Sequence, residues 1–430
     1  MGTRLPNHLR DTPDAETWLG QFDAADRSGA SLLIDSLSLV DSARFDQSLQ
    51  ALIVDEAGKQ KTKRATGIYA TREVESKDSP TVDGAEMDVS ASLKEWVATR
   101  GWRPRYFDPK ARSRSPDAAP GSKVGSEAYI AHLIRDVAAG SGRRKLLSHP
   151  SIHQLRTNKC QNVFLVDDII GSGRRSETFV TAFCNDPSIR SWMSGGFLRV
   201  VVLAYGGTSA GMRRVEQHRF VDKVRVVRLV AAGRAAWSAT ERRTIEFICR
   251  KYAPRTSKPR MPLGYRDAFT LMVFQHDVPN TTPAILWARS PDWLPLLHMR
   301  PNLGQSSWPL PEDVNERRKR VLAAMGRTKP PTGGDFERHL EPGGLVRLVV
   351  LAASARRIRK IGILSDVAEL SIDETARIIS QCTALGWLSP DGTITPEGLA
   401  ELRYARRLGL SPAERPPLRG EPYYPTALRT

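Results

Sequence analysis

The patterning of this 430-residue chain predicts an α/β domain built on a parallel sheet, with a helical region before it and a smaller helical domain after it. Three observations carry that expectation. Asn162–Val166, Phe197–Ala204 and Val224–Val230 are continuous apolar, β-branched runs separated by helix-patterned stretches, the signature of parallel strands covered on both faces. Before residue 66 the apolar residues recur at helical spacing. Between 301 and 341 the chain turns to Pro301, Pro309, Pro311, Pro330, Pro331, Gly333 and Gly334 around the basic run Arg317-Arg-Lys-Arg320, a linker with one short helix. At about 150 residues per domain the length suits two or three domains.

Within the helical region 1–66, three sets mark successive helices: Trp18, Leu19, Phe22 and Ala25; Ala30, Leu32, Leu33 and Leu37; Phe45, Leu49, Leu52 and Ile53. The α/β domain, 67–300, opens on a short strand, Gly67–Thr71, which ends at Arg72. Arg103–Lys123 mixes prolines and glycine with basic residues and reads as loop, followed by a helix over Glu127–Val137. The clearest strand, Asn162–Val166, runs into Asp167–Arg175, and a helix is expected from Ser176. Ala268–Phe274 and Pro283–Trp287 are candidate edge strands. A compact unit follows over 342–410, and 411–430 is a Pro-rich tail.

Lys and Arg number 64 against 47 Asp and Glu, a net charge of +17, which favours polyanionic partners. Cys160, Cys184, Cys249 and Cys382 lie far apart with no CxxC pair, so neither a zinc site nor a disulfide framework is expected and a reducing compartment is. The first residues contain no apolar signal core, and no run approaches the roughly 18 apolar residues of a membrane helix. The expectation is a cytoplasmic protein without a membrane partner. The histidines form no HExxH pair; His149 and His153 are four apart, but Pro150 argues against an unbroken helix, leaving packing or turn roles. Trp287 and Trp293 read as core residues.

The segment Val163-Phe-Leu-Val-Asp-Asp-Ile-Ile-Gly-Ser-Gly173 is the most informative. A buried strand carries two adjacent carboxylates at its C-terminal end, and a Gly-Ser-Gly turn then leads into a helix. In open α/β sheets ligands bind at that edge. The turn offers backbone N–H groups of Gly171, Ser172 and Gly173, the hydroxyls of Ser172 and Ser176, and the charges of Arg174 and Arg175, which together make a phosphate cradle at a helix N-terminus. Carboxylates beside a phosphate would repel it unless they face hydroxyls. A ribose 5-phosphate satisfies both demands, its ring hydroxyls donating to Asp167 and Asp168. The competing reading is a plain αβ turn whose aspartates cap the helix.

This arrangement resembles the PRPP-binding loop of type I phosphoribosyltransferases, PRPP being 5-phosphoribosyl 1-diphosphate. The family usually carries Thr or Ser where this chain has Arg175; Ser176 stands one position later. His149-Pro-Ser-Ile-His153, Pro279–Trp287 and Trp293-Leu-Pro-Leu296 are similar to a phosphoribosyltransferase-like group of bacterial conflict systems, which includes effectors encoded beside retrons and joins the domain to a winged helix. The resemblance implies PRPP or a related sugar phosphate as ligand, Asp167 and Asp168 as catalytic residues, and Mg2+ arriving with the diphosphate as a Lewis acid. It also requires a pyrophosphate loop. Arg72 is one candidate, and Ser122, Lys123, Gly125 and Ser126 of the Pro120–Ser126 stretch are the other, with an ordinary helix-capping loop as the competing reading of the latter. The acceptor is not marked; Tyr205–Ser209 follows the next strand.

In the last unit Leu345–Ala353 and Ile363–Leu370 read as helices, and Ser371 with Glu374 is a capping box for a third, whose apolar face is Ile372, Ala376, Ile379 and Thr383. Gly386 ends it, Trp387–Ile394 forms a short hairpin around Pro390-Asp-Gly392, and Thr395-Pro-Glu397 starts a last helix. Three helices and a β wing resemble a winged helix. Arg356, Arg357, Arg359, Lys360 and Arg377 are its candidate nucleic-acid contacts, yet 342–430 holds 12 Lys and Arg against 9 Asp and Glu, and DNA binding and protein docking stand level. The functional expectation is a phosphoribosyltransferase-like effector of an anti-phage module, bearing on DNA or on a reverse transcriptase–nucleic acid complex. The alternative is a non-enzymatic regulator that senses PRPP or a nucleotide, or a docking subunit.

Overall fold

The computed structural model describes residues 8–59, 64–72, 126–142, 145–230, 239–297, 318, 322 and 343–408. They fall into two compact units, one within Pro6–Leu310 and one within Pro311–Thr430. Ser122, Lys123, Gly125, most of the expected linker and the tail 411–430 lie outside the described residues.

The first unit begins with helices α1 (Pro13–Gly20) and α2 (Arg27–Ile34), a short strand β1 (Ser38–Val40) and helix α3 (Ser42–Gly58). Their starts follow from local chemistry: the Thr12 hydroxyl accepts from the Ala15 N–H, Pro13 opens α1, and the Asp41 carboxylate accepts from the Arg44 N–H at 2.8 Å. The alternating elements that follow are β2 (Thr66–Ala70), α4 (Ser126–Ala139), β3 (Leu146–Ser148), α5 (Ile152–Thr157), β4 (Asn162–Ile170), α6 (Arg174–Cys184), α7 (Pro187–Ser194), β5 (Arg199–Gly207), α8 (Ser209–Glu216), β6 (Lys223–Leu229) and α9 (Ala239–Tyr252). β7 (Met272–Phe274) and the short helix α10 (Ala284–Trp287) complete the unit.

The five central strands are all parallel, in the spatial order β3-β2-β4-β5-β6. On one face Ile68, Phe164, Val166, Val201, Leu203 and Tyr205 bury against Phe45, Leu49 and Ile53 of α3 and Ile130, Leu133 and Ile134 of α4. A second core joins α1 and α2 to α9 and to residues 263–297, so the N-terminal helices and the late segment pack together. There the Trp18 indole N–H donates to the Ile285 carbonyl at 3.0 Å and the Trp293 N–H to the same carbonyl at 2.8 Å. Both tryptophans are buried, and Trp287 is too, as core roles require.

Three local expectations are corrected. Pro283–Trp287 is not a strand: Pro283 precedes a helical turn in which the Trp287 indole N–H returns to the Thr282 carbonyl at 2.8 Å. The strand expected over Ala268–Phe274 shortens to Met272–Phe274 and pairs with β1 in a separate two-stranded parallel sheet. β4 runs on to Ile170, because β5 continues opposite it through Gly206 and Gly207; α6 then starts at Arg174, two residues before the expected position.

His149 holds a turn. Its backbone has φ of 46°, its Nε2 accepts from the Ala70 N–H at 3.1 Å, and its Nδ1 lies 3.0 Å from the Ser148 hydroxyl. Ser151 then caps α5 through a capping box with Gln154. Burial, with Arg72 and Arg135 nearby, lowers the His149 pKa to about 4.

The second unit has helices α11 (Gly344–Ala355), α12 (Ile361–Ala368), α13 (Ile372–Ala384) and α14 (Pro396–Leu408), with an antiparallel bridge between Leu388 and Ile394. The Ser371–Glu374 capping box is present, and Gly386 leaves α13 with φ of 73°. The buried face of α13 is rotated from the expected one. Thr375 and Cys382 are fully buried and Ala376 is exposed, because Thr375 turns its hydroxyl back to the Ser371 carbonyl at 2.8 Å and can enter the core.

Because His149 is neutral when folded and titrates near 6.5 when unfolded, the unfolded chain binds the extra proton between about pH 4 and 6.5. Stability contributed at neutral pH is therefore lost as pH falls through that window, by about 1.6 kcal/mol between pH 6.5 and 5 for one such group. Urea unfolding of His149→Gln should show a correspondingly flatter loss than wild type; an unchanged pH slope would contradict the assignment.

Candidate functional site

In a sheet whose first strand sits between the second and the third, connections leave that first strand in opposite directions. The crevice at its C-terminal edge is where ligands bind. Here that edge lies between β2 and β4. Ala70 is in register with Val166, and the Thr71 N–H donates to the Val166 carbonyl at 2.8 Å. Thr71 and Arg72 thus leave the sheet beside Asp167. Thr71 is 2% exposed, and its hydroxyl has no hydrogen-bond partner among the described residues.

Asp167 and Asp168 are 2% and 3% exposed and lie inside β4, not at its end. The Arg175 guanidinium, in the first turn of α6, folds back onto both. Its Nε donates to Asp167 Oδ2 at 3.3 Å, and its Nη2 donates to Oδ1 of each aspartate. The Asp168 and Ile169 N–H groups donate to Asp167 Oδ1 and Asp168 Oδ1, at 3.0 and 2.7 Å, and Ser176 lies 3.4 Å from Asp167 Oδ2. Three of the four carboxylate oxygens are thereby occupied; Asp168 Oδ2 accepts from no described residue. Burial drives the Asp167 pKa well above the carboxylate range, with Asp168 adding to it against Arg175. At Asp168 burial pushes the same way, but Arg175 and Asp167 outweigh it and hold the group below its ordinary value. Arg175 therefore lies on the carboxylates, whereas the sequence pointed it at the phosphate cradle.

Gly173 is the N-cap of α6 with φ of 78°, and it offers no side-chain acceptor to the free N–H groups of the first turn. That leaves the helix N-terminus open to an anion. Ser172 and Arg174 are half-buried beside it, and the Arg174 Nε is buried without a hydrogen-bond partner among the described residues. The turn is held by the Tyr205–Ser209 segment. The Thr208 N–H donates to the Ile170 carbonyl at 3.0 Å, and its hydroxyl donates to the Gly171 carbonyl at 2.6 Å and accepts from the Gly211 N–H. Gly211 must be glycine, since a Cβ there would stand 2.2 Å from the Gly171 oxygen.

One nearby residue escapes sequence reasoning. His276, after β7, lies within electrostatic reach of Asp168, stacks on Tyr129 at 4.1 Å, and has both ring nitrogens buried without hydrogen-bond partners among the described residues. Burial lowers its pKa to about 4. It is remote in sequence from the loop, and no motif marks it. Ser126, the one described residue of the Pro120–Ser126 candidate, is the buried first residue of α4. The structure brings Arg72, Asp167, Asp168 and Gly171–Ser176 to the one edge.

A divalent ion held by the chain itself does not fit this pair, because Arg175 already neutralises it; nor do three acidic, His or Cys groups cluster as a metal site among the described residues. In the second unit Arg356 is half-buried at the end of α11, Arg357, Lys360 and Arg377 are exposed, and Arg359 pairs with Asp391 at 3.4 Å.

A parallel five-strand α/β unit with two carboxylates and an uncapped helix at its switch point, followed by a winged-helix unit, defines a phosphoribosyltransferase-like protein. The family comparison is more particular: the chain belongs to the PRTase-CE family, whose model matches residues 15–298, and a wHTH-PRTase associated model matches 348–430. No match is found among curated proteins or among solved structures.

The clamp on the turn can be tested by Gly211→Ala. Forcing a methyl against the Gly171 carbonyl should lower stability by about 1–3 kcal/mol in urea unfolding. A loss under about 0.5 kcal/mol would show that the two loops are not held together.

Proposed function

We propose that this protein binds a ribose 5-phosphate group, as PRPP or a related sugar phosphate, at the edge formed by Asp168 and Gly171–Ser176. The observation that carries the reading is the juxtaposition of an open carboxylate oxygen, Asp168 Oδ2, with the uncapped N-terminus of α6. A ribose hydroxyl donates to Asp168, and the 5-phosphate accepts from the first-turn N–H groups of α6. Asp167 acts on Arg175 and Ser176, holding the turn that receives the phosphate. Membership of the PRTase-CE family supports chemistry at the anomeric carbon, either transfer of the phosphoribosyl group or hydrolysis of its bond. The buried carboxylate then favours the positive charge that develops on the ring in the transition state. Any Mg2+ would travel on the ligand's diphosphate. In the cell this activity would be that of an effector in a retron-type anti-phage module, with cytoplasmic action and a nucleic-acid or reverse transcriptase complex as partner.

A second reading, a sugar-phosphate sensor acting on DNA, draws on the exposed Arg357, Lys360 and Arg377 of the winged-helix unit.

Calorimetric titration with PRPP or ribose 5-phosphate tests the site. Asp168→Asn should weaken binding by about 1.5–3 kcal/mol, the range for a hydrogen bond to a charged group; an unchanged affinity removes the carboxylate assignment. Growth arrest by the effector should vanish in folded Asp168→Asn protein, and persistent toxicity would leave the sensing or docking role. For DNA binding, the log–log salt slope should flatten by about two units when Arg356 and Arg357 are neutralised together; an unaltered slope excludes that cluster as a phosphate contact.

A further inference from the structure

The pair Asp167–Asp168 carries an unusual partner. Adjacent ionised carboxylates in a dry site repel each other and any incoming phosphate, and buried charges of this kind are paired or coordinate metals. Here the cation is covalently part of the chain. Arg175 reaches both aspartates from the first turn of the same helix whose N-terminus has no side-chain cap. Its side chain is 27% exposed, while the carboxylates remain enclosed at 3% and 4%. Asp168 Oδ2 is left as the single carboxylate oxygen of the pair without a donor among the described residues.

We propose that Arg175 takes the place of a divalent ion at the carboxylate pair, so that the chain binds the pentose 5-phosphate part of its ligand with no metal there and reads one ring hydroxyl through Asp168 alone. This rests on the sugar-phosphate reading above and deepens it. The ligand class is a pentose 5-phosphate with a free ring hydroxyl, and its binding needs no Mg2+. Asp167 is a positioning residue that orients Arg175, and Asp168 is the residue that touches the ligand. The position at which type I phosphoribosyltransferases carry Thr or Ser is thus, in this chain, the source of the compensating charge.

The test is calorimetric titration of the full-length protein with ribose 5-phosphate, in EDTA and in millimolar Mg2+. Wild type should bind with Kd values within about twofold in the two buffers, and Arg175→Gln should bind at least tenfold more weakly in EDTA and recover on adding Mg2+. Arg175→Lys keeps a charge at the same place and should retain EDTA-insensitive binding, which separates lost charge from misfolding. Wild-type binding that is at least tenfold tighter with Mg2+ overturns the proposal. So does Arg175→Gln binding equally in both buffers. A second titration uses Mn2+ alone, followed by its electron paramagnetic resonance signal. Arg175→Gln should take up the ion and wild type should not, and Mn2+ uptake by wild type that Asp168→Asn abolishes also overturns it. Absence of ribose 5-phosphate binding in both buffers would instead defeat the sugar-phosphate reading, while the Mn2+ titration still decides what neutralises the pair.

Discussion

Two carboxylates drawn into the interior of a parallel sheet, and held there by one guanidinium, are the constraint around which the first unit is arranged. Asp167 and Asp168 lie within β4 because the strand keeps its register with β5 as far as Ile170 and Gly207. Inside the sheet they lose water, and burial alone would keep at least one of them protonated. Arg175 reverses that for Asp168. Removing one member of such a buried set is typically far more damaging than any surface ion pair, because the remaining charge has nowhere to go. The helix that carries Arg175 is therefore tied to the strand by electrostatics as well as by packing, and the short Gly171–Gly173 turn between them has little freedom.

That turn is braced from two further directions. Thr208 bonds both Ile170 and Gly171, so the loop after β5 acts as a clamp on the loop after β4. Thr281 packs against Gly171 from the segment that follows β7. The same segment carries His276, within electrostatic reach of Asp168, and its core is continuous with α1, α2 and α9. Helices from the start of the chain thereby support residues near its middle, through the Trp18, Phe22, Tyr252 and Trp293 cluster. An ion-paired surface group such as Lys251 with Asp23 and Asp26 adds little by comparison, being exposed to water.

The winged-helix unit obeys simpler rules. Its helix boundaries are set by a capping box, a glycine with positive φ and a Pro-initiated helix, all local devices. Its core is small and continuous, running from Leu345 through Cys382 and Leu388 to Leu402. The charge on its surface is modest, and Arg359 is already paired with Asp391. Arg357, Lys360 and Arg377 are exposed on it.

What the sequence by itself determined follows from interactions between near neighbours. Runs of β-branched residues announced the strands, and the 3.6-residue spacing of Phe45, Leu49, Leu52 and Ile53 announced α3. The Ser371–Glu374 pair set the start of α13, and the order strand, Asp167-Asp168, Gly171-Ser172-Gly173, helix located the site. What only the tertiary structure decided depends on residues distant along the chain. β1 and β7 are three residues each and acquire meaning only by pairing with one another across more than half the first unit. His276 comes within electrostatic reach of Asp168 from a segment with no pattern of its own. Arg175 is near in sequence, yet its direction could not be read, because a guanidinium between an uncapped helix N-terminus and two carboxylates goes wherever the buried negative charge is. That charge became buried only when β4 was enclosed by its neighbours, and burial is a property of the folded sheet that no local spacing encodes.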